Sequence, residues 1–160
     1  MPGSLVGVNT LVPNRLVRKE IEEGNIPELA GYERVRPEVP YGRSSRIDLL
    51  LERDGERCYV EVKNCTLVED SAARFPDAVT ARGLKHLHEL RDQVSAGHRA
   101  VIFFLIQRMD ANRFTPADHI DSEYGRALRQ VEEEGVEALA YDVALDLEGI
   151  RIRRPLPILM

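Results

Sequence analysis

The segment RIDLLLERDGERCYVEVKN, residues 46–64, decides the fold of this chain. It contains two runs of strand-forming residues, 46–52 and 57–64, that meet around Asp54-Gly55. Asp and Gly suit a two-residue hairpin turn because both tolerate the positive φ that such turns require. The segment is therefore predicted to form an antiparallel β-hairpin.

Pairing about this turn sets Leu49 against Val60, and Asp48 against Glu61. Because side chains alternate along a strand, each strand of the hairpin presents two faces. One face, predicted to be core, carries Ile47, Leu49, Leu51, Cys58, Val60 and Val62, and the other carries Asp48, Leu50, Tyr59, Glu61 and Lys63. The hairpin thus predicts two opposed carboxylates, one strand step from a lysine.

Opposed carboxylates repel each other, since paired Cβ atoms lie roughly 4.5–5.5 Å apart. Lys63 offsets part of this repulsion, and a hard divalent cation with oxygen ligands would offset the rest. Asp48 and Glu61 are the predicted side-chain ligands, with the Val62 carbonyl as a third. Mg²⁺ or Mn²⁺ is the expected ion, because both prefer oxygen ligands.

Such a site suits phosphodiester hydrolysis, in which a metal activates water and neutralises charge on phosphate oxygens. The predicted catalytic residues are Asp48, Glu61 and Lys63, with Lys63 orienting the water or stabilising the charged transition state. The alternative is a solvent-exposed hairpin face on which acids and bases alternate, because short motifs of this kind also arise by chance.

The rest of the chain reads as helices and strands around this hairpin. Apolar spacing predicts helices at 11–23, 80–94 and 121–134 and further strands at 32–39, 100–106 and 136–143. The apolar run Ala100–Ile106 is typical of a strand covered on both faces. The predicted order is α-β-β-β-α-β followed by a helix and a strand, in one α/β domain over residues 1–160.

The composition limits the classes of function. A net charge of −5 argues against nucleic-acid binding by overall charge, so any such contact must be local. No apolar stretch approaches the roughly 20 residues of a membrane helix, and no signal peptide is recognisable, so a cytoplasmic protein with no membrane partner is expected. Cys58 and Cys65 lack metal-site spacing and are interpreted as small apolar residues.

Several blocks of the sequence resemble one known family in the same order along the chain. These are VGVNT (6–10), NRL (14–16), SRID (45–48), YVEVKN (59–64), FPDAVT (75–80), RG (82–83), KHL (85–87) and GVE (135–137). They resemble the C-terminal part of the sugar fermentation stimulation protein A family, whose core is similar to PD-(D/E)XK, or restriction-endonuclease-like, nucleases.

The resemblance implies a nuclease-like fold, weak or non-specific DNA binding, and a regulatory link to sugar metabolism, especially that of maltose. Members of the family carry an OB-like region before the VGVNT segment, so this region is expected to be absent here. Nucleases with this fold often add a metal-side glutamate from the first helix, for which Glu20 is the candidate; the alternative is a solvated helix face.

Four residues are predicted to contact nucleic acid: Arg46, Arg82, Lys85 and His86. Arg82 and His86 are four residues apart and so share one face of the predicted second helix. A polar helix face is the alternative interpretation. The leading functional prediction is a metal-dependent nuclease; the alternatives are a non-catalytic DNA-binding regulator and an interaction domain without either activity. The sequence leaves the oligomeric state open.

Overall fold

The structure is a computed structural model that describes residues 12–160. Its helices are α1 (Val12–Glu22), α2 (Ala81–Ser95) and α3 (Ser122–Glu133), with a short 3-10 turn at Pro27–Leu29. Its strands are β1 (Arg34–Tyr41), β2 (Ser45–Arg53), β3 (Glu56–Cys65), β4 (Leu67–Glu69), β5 (Ala72–Phe75), β6 (Arg99–Ile106), β7 (Arg113–Pro116), β8 (Glu137–Asp146) and β9 (Gly149–Pro155). The predicted helix start at Leu11 and the VGVNT block lie outside the described residues.

A six-stranded mixed sheet forms the centre of the fold, in the order β1-β2-β3-β6-β8-β9. β1, β2 and β3 pair antiparallel, β3, β6 and β8 pair parallel, and β9 returns antiparallel to β8. The predicted order of the main helices and strands is confirmed, with four further strands, β4, β5, β7 and β9, added to it. Between Val12 and Met160 no helix is long and apolar enough to cross a bilayer.

Helices cover both faces of this sheet because each helix has one apolar stripe. On one face α1 packs Leu16, Val17 and Ile21 against Val60 and Phe103. On the other face are α2, with Leu87 and Leu90, and α3, with Tyr124 and Leu128. The central strand β6 is fully enclosed, with zero exposure from Ala100 to Ile106, as its uninterrupted apolar run predicts.

The hairpin forms at the predicted turn. Asp54 and Gly55 have φ of 48° and 80°, and Leu49 pairs with Val60 as expected. The predicted pairing of Asp48 with Glu61 is wrong, because the regular β2–β3 ladder ends at Leu49. The Val62 backbone N–H donates instead to the Asp48 side chain.

The same irregularity changes the face on which one side chain lies. Ile47 was predicted to share a face with Leu49, but it packs in the other cluster, with Leu50 and Tyr59. The neighbouring strand β1 is irregular at this level too, since Glu38, opposite Asp48, has φ of 53°. A local break in strand alternation therefore turns Asp48 out of the regular ladder.

Sequence periodicity missed four strands. β4, β5 and β7 form a second, three-stranded sheet, and β9 extends the main one. β4 has three residues, and β5 and β7 have four each, too few to give a recognisable alternation. None of these strands carries a predicted site residue.

Candidate active site

The irregular end of β2 lies beside β3 and α2, where three ionisable side chains meet. Glu61 Oε1 lies 3.3 Å from Lys63 Nζ and 3.2 Å from His86 Nδ1. Lys63 Nζ lies 2.8 Å from the same His86 nitrogen. Glu61 and His86 are buried, and the Lys63 side chain is 13% exposed. The structure thus places the two predicted β3 residues in one shielded cluster with His86.

Asp48 is held next to this cluster by two hydrogen bonds. Its Oδ1 accepts from the Asn14 side chain of α1 at 3.0 Å, and its Oδ2 accepts from the Val62 N–H at 2.8 Å. Asn14 therefore links the first helix to the site. Sequence reasoning gave Asn14 no role, although it lies in the NRL block that carries the family resemblance.

The pKa values of the two acids are shifted in opposite directions. Burial raises the pKa of Asp48 to about 6, and the negative charge of Glu61 adds to the rise, against the Val62 N–H, Lys63 and Asn14. Burial alone would also raise the pKa of Glu61, but the His86 hydrogen bond and the Lys63 charge hold it below its ordinary value. Glu61 is therefore the firmly ionised member of the pair.

The second oxygen of Glu61 is the feature that best fits a cation. Glu61 Oε2 is buried and has no hydrogen-bond partner in the described part of the chain. An ionised oxygen left in this state is costly, whereas a hard cation accepts carboxylate oxygens as ligands. Within residues 12–160 no three His, Cys, Asp or Glu side chains form a metal-binding group, so such an ion would need oxygen ligands beyond the two carboxylates. The Val62 carbonyl stays a predicted ligand.

Glu20 does not join this site. It is buried against Asn25, whose side chain donates to Glu20 Oε2 at 3.3 Å. It lines a separate cavity of about 620 Å³ between α1 and β9. Glu20 is six residues beyond Asn14, about 9 Å further along the helix axis at 1.5 Å per residue. We therefore remove Glu20 from the predicted ligand set.

A cleft of about 410 Å³ opens beside Asp48. All four residues predicted to contact nucleic acid line it: Arg46, Arg82, Lys85 and His86. Arg46, Arg82 and Lys85 are exposed, so their cationic groups can meet phosphates. His86 is only 6% exposed, and its Nδ1 is engaged by Lys63 and Glu61. The structure corrects the role of His86 from a phosphate contact to a partner of Lys63.

The raised pKa of Asp48 predicts how stability depends on pH. A carboxyl whose folded pKa, about 6, exceeds its ordinary value of 3.8 opposes folding above pH 6, and this penalty fades as the pH falls towards 4. Asp48→Asn removes the penalty. We compare the free energy of unfolding of Asp48→Asn with that of wild type at each pH. The difference in favour of Asp48→Asn should be larger at pH 8 than at pH 4.5, by on the order of 1–2 kcal/mol.

Urea unfolding of both proteins at the two pH values, with EDTA present, measures this difference. Because each comparison is made at one pH, groups other than Asp48 cancel to first order. An Asp48→Asn effect that is the same at both pH values would contradict the raised pKa.

Comparisons with known proteins identify the family of this chain. Residues 11–149 match the family model described as "SfsA: Sugar fermentation stimulation protein RE domain". The sugar fermentation stimulation protein homolog of Pelobacter propionicus is 58% identical over 158 residues, covering 99% of this chain and 69% of the relative. That of Geobacter sulfurreducens is 59% identical over 157 residues, covering 98% of this chain and 67% of the relative.

One solved structure is similar over nearly the whole chain. It is described as Pyrococcus furiosus SfsA in complex with Ca²⁺; it has a TM-score of 0.91 and 30% identity, and the match covers 99% of this chain and 69% of that one. The mixed sheet between helices, with an acidic pair and a lysine on β2 and β3, defines a restriction-endonuclease-like fold. The chain belongs to the sugar fermentation stimulation protein family.

Proposed function

We propose that this protein is a divalent-metal-dependent nuclease that binds DNA in the cleft beside Asp48 and hydrolyses phosphodiester bonds in the cytoplasm. The observation that carries the proposal is Glu61 Oε2, which is buried and has no hydrogen-bond partner among residues 12–160. The other oxygen of Glu61 contacts Lys63 and His86, and His86 lines the cleft together with Asp48 and three cationic side chains, Arg46, Arg82 and Lys85. The Pyrococcus furiosus relative was solved in complex with Ca²⁺, which supports a hard cation in this family.

Asp48 and Glu61 would hold the ion, together with the predicted Val62 carbonyl. When bound, Mg²⁺ or Mn²⁺ would supply a Lewis acid that lowers the pKa of water and neutralises phosphate charge. Lys63 places an ammonium group beside the reacting phosphate, where it stabilises negative charge or orients the attacking water. His86 Nδ1 lies 2.8 Å from that ammonium group and 3.2 Å from Glu61 Oε1, so His86 packs against both groups.

The cationic rim of the cleft would bind the DNA backbone. Arg46, Arg82 and Lys85 contact phosphates, which position the strand without reading its sequence. Because the net charge of the chain is −5, this local concentration of cations carries the attraction. The binding is therefore expected to be weak, salt-dependent and largely indifferent to sequence.

The test is cleavage of labelled single- and double-stranded DNA and RNA with Mg²⁺ or Mn²⁺. Asp48→Asn is expected to lower the rate at least about 100-fold, because it removes a charged ligand but keeps the shape. Asp92→Asn, on the exposed surface of α2, is the matched control and should cut at the wild-type rate. Full activity in Asp48→Asn, or no cutting of any substrate by wild type, would contradict the proposal.

A second candidate is a DNA-binding regulator without catalysis, in keeping with relatives named for sugar fermentation. The observation in its favour is that Lys63 and His86 already contact Glu61 Oε1, so part of its charge is balanced without a metal. DNA binding without cutting, unchanged in Lys63→Ala, would favour this candidate over the nuclease.

Salt dependence tests the proposed phosphate contacts. Arg82→Ala should weaken DNA binding about equally for all sequences and reduce the slope of log affinity against log salt by about 1. Arg126→Ala, on the exposed surface of α3, is the control and should leave the slope unchanged. The slope is measured by fluorescence anisotropy in EDTA over a range of salt concentrations. An unchanged slope in Arg82→Ala would remove Arg82 from the DNA-binding surface.

A further inference from the structure

Glu89 is a buried acid that the proposed chemistry does not use. It lies on α2, three residues after His86, and is 8% exposed. Residues three apart on a helix share one face, so Glu89 lies on the side of α2 that carries His86. The hydroxyl of Ser45, at the start of β2, donates a hydrogen bond to Glu89 Oε1 at 2.7 Å.

The turn between β1 and β2 closely approaches this carboxylate. A Cβ atom added at Gly42 would overlap Glu89 Oε2, so the Glu89 carboxylate occupies the space that a side chain at position 42 would need. Gly42 also has φ of +63°, which favours glycine. The positive φ and the nearby carboxylate both favour glycine at position 42. The turn therefore packs closely against Glu89.

A second contact joins the same turn to α2. Lys85 Nζ donates to the Ser44 hydroxyl at 3.1 Å, and Lys85 and Glu89 are one helical turn apart. The turn and the start of β2 thus contact α2 at two positions, one helical turn apart. Of the two contacts, the one with Glu89 is the more shielded, since Lys85 and Ser44 are exposed.

The turn carries Arg43, and Arg46, which borders the cleft, follows the turn on β2. Arg43 and Arg46 line a cavity of about 340 Å³, which shares Ser44, Ser45 and Arg46 with the larger cleft beside Asp48. The position of the turn therefore fixes where these two guanidinium groups meet a bound strand. If the turn moved freely, the entropy lost in ordering it would weaken DNA binding.

We propose that Glu89 is a positioning residue: it holds the β1–β2 turn against α2 and thereby orients Arg43 and Arg46 towards the nucleic-acid backbone. This inference rests on the proposed DNA binding. The effect on DNA affinity that this role predicts for the loss of Glu89 is opposite to the effect expected from charge alone. Removing an acid beside an anion-binding cleft should strengthen DNA binding if only charge matters, whereas losing the contact with the turn should weaken it.

Two substitutions separate charge from contact. Glu89→Gln removes the charge but keeps an oxygen that accepts from Ser45. Glu89→Ala removes both. We expect Glu89→Gln to bind a labelled DNA oligonucleotide as tightly as wild type or more tightly, and Glu89→Ala to bind it about fivefold more weakly. Anisotropy in EDTA measures binding without cleavage.

Amide hydrogen exchange tests the contact without reference to function. In Glu89→Ala, exchange in a peptide covering residues 42–45 should rise about tenfold, and in Glu89→Gln it should stay near the wild-type rate. Ser45→Ala removes the donor without altering α2. It should behave like Glu89→Ala, and it replaces that variant if urea unfolding shows that Glu89→Ala does not fold.

Each outcome decides a separate point. Unchanged exchange in Glu89→Ala and Ser45→Ala would overturn the role of Glu89 in holding the turn. Faster exchange together with DNA binding as tight as in Glu89→Gln would overturn its role in orienting the arginines. A wild-type protein that binds no DNA would overturn the proposed function and, with it, the positioning role, whereas the exchange rates would still report on the turn.

Discussion

Glu61→Gln should lower metal-dependent cleavage by about 10²–10³-fold and weaken Mn²⁺ binding in the same variant. Glutamine keeps the shape of Glu61 and an oxygen that can still meet Lys63. It removes the negative charge from the buried Oε2, which is the atom that best fits a cation. The loss should therefore appear in the metal titration as well as in the rate.

Isothermal titration with Mn²⁺ and a cleavage assay measure the two effects on one preparation. Glu132→Gln, on the exposed surface of α3, controls for the loss of one negative charge. Wild-type cleavage and metal affinity in Glu61→Gln would place the metal site elsewhere.

Lys63→Met should lower cleavage by a similar factor, about 10²–10³-fold, but should not weaken metal binding. Methionine keeps an unbranched side chain of similar length and loses the ammonium group that stabilises charge near the phosphate. Because Lys63 Nζ lies 3.3 Å from Glu61 Oε1, it competes with a cation for the same carboxylate. Mn²⁺ affinity is thus expected to stay equal or to rise.

The loss of Lys63 should also destabilise the metal-free protein. Removing one partner of a buried ion pair leaves the other uncompensated, at a cost of about 3 kcal/mol when no ion replaces it. Added Mn²⁺ should restore much of that free energy of unfolding. Lys19→Met, on the exposed side of α1, is the control for the loss of one positive charge.

Together the two variants separate metal binding from the handling of charge on the phosphate. Loss of both rate and metal affinity in Glu61→Gln, with loss of rate alone in Lys63→Met, is the pattern expected of a nuclease. Parallel loss of metal affinity in both variants would instead make Lys63 a structural partner of Glu61. That outcome would favour the non-catalytic regulator.

Much of the fold follows from local features of the sequence. The hairpin forms about Asp54-Gly55 because that dipeptide accepts positive φ. α2 and β6 follow their predicted spans to within a residue or two, because a helical apolar stripe and an unbroken apolar run are strong periodic signals. The placement of Glu61 and Lys63 on one face of β3 follows from strand alternation alone.

The sequence by itself therefore determined the hairpin, the order of the main elements and the β3 half of the site. Only the tertiary structure decided the positions that depend on contacts distant in the chain. Asn14 meets Asp48 across 34 residues, and Ser45 meets Glu89 across 44. Such pairs leave no mark in local periodicity, because burial and packing against a second element create them.

The break at Asp48 illustrates the same limit within a single strand. Turn chemistry fixes the register near the turn, but further along the strand the register depends on what packs against it. Here Asn14 and the Val62 N–H bind the Asp48 side chain, and the regular β2–β3 ladder ends. The acids of the site could be predicted from the sequence, whereas the packing of α1 and α2 against the sheet decided their arrangement.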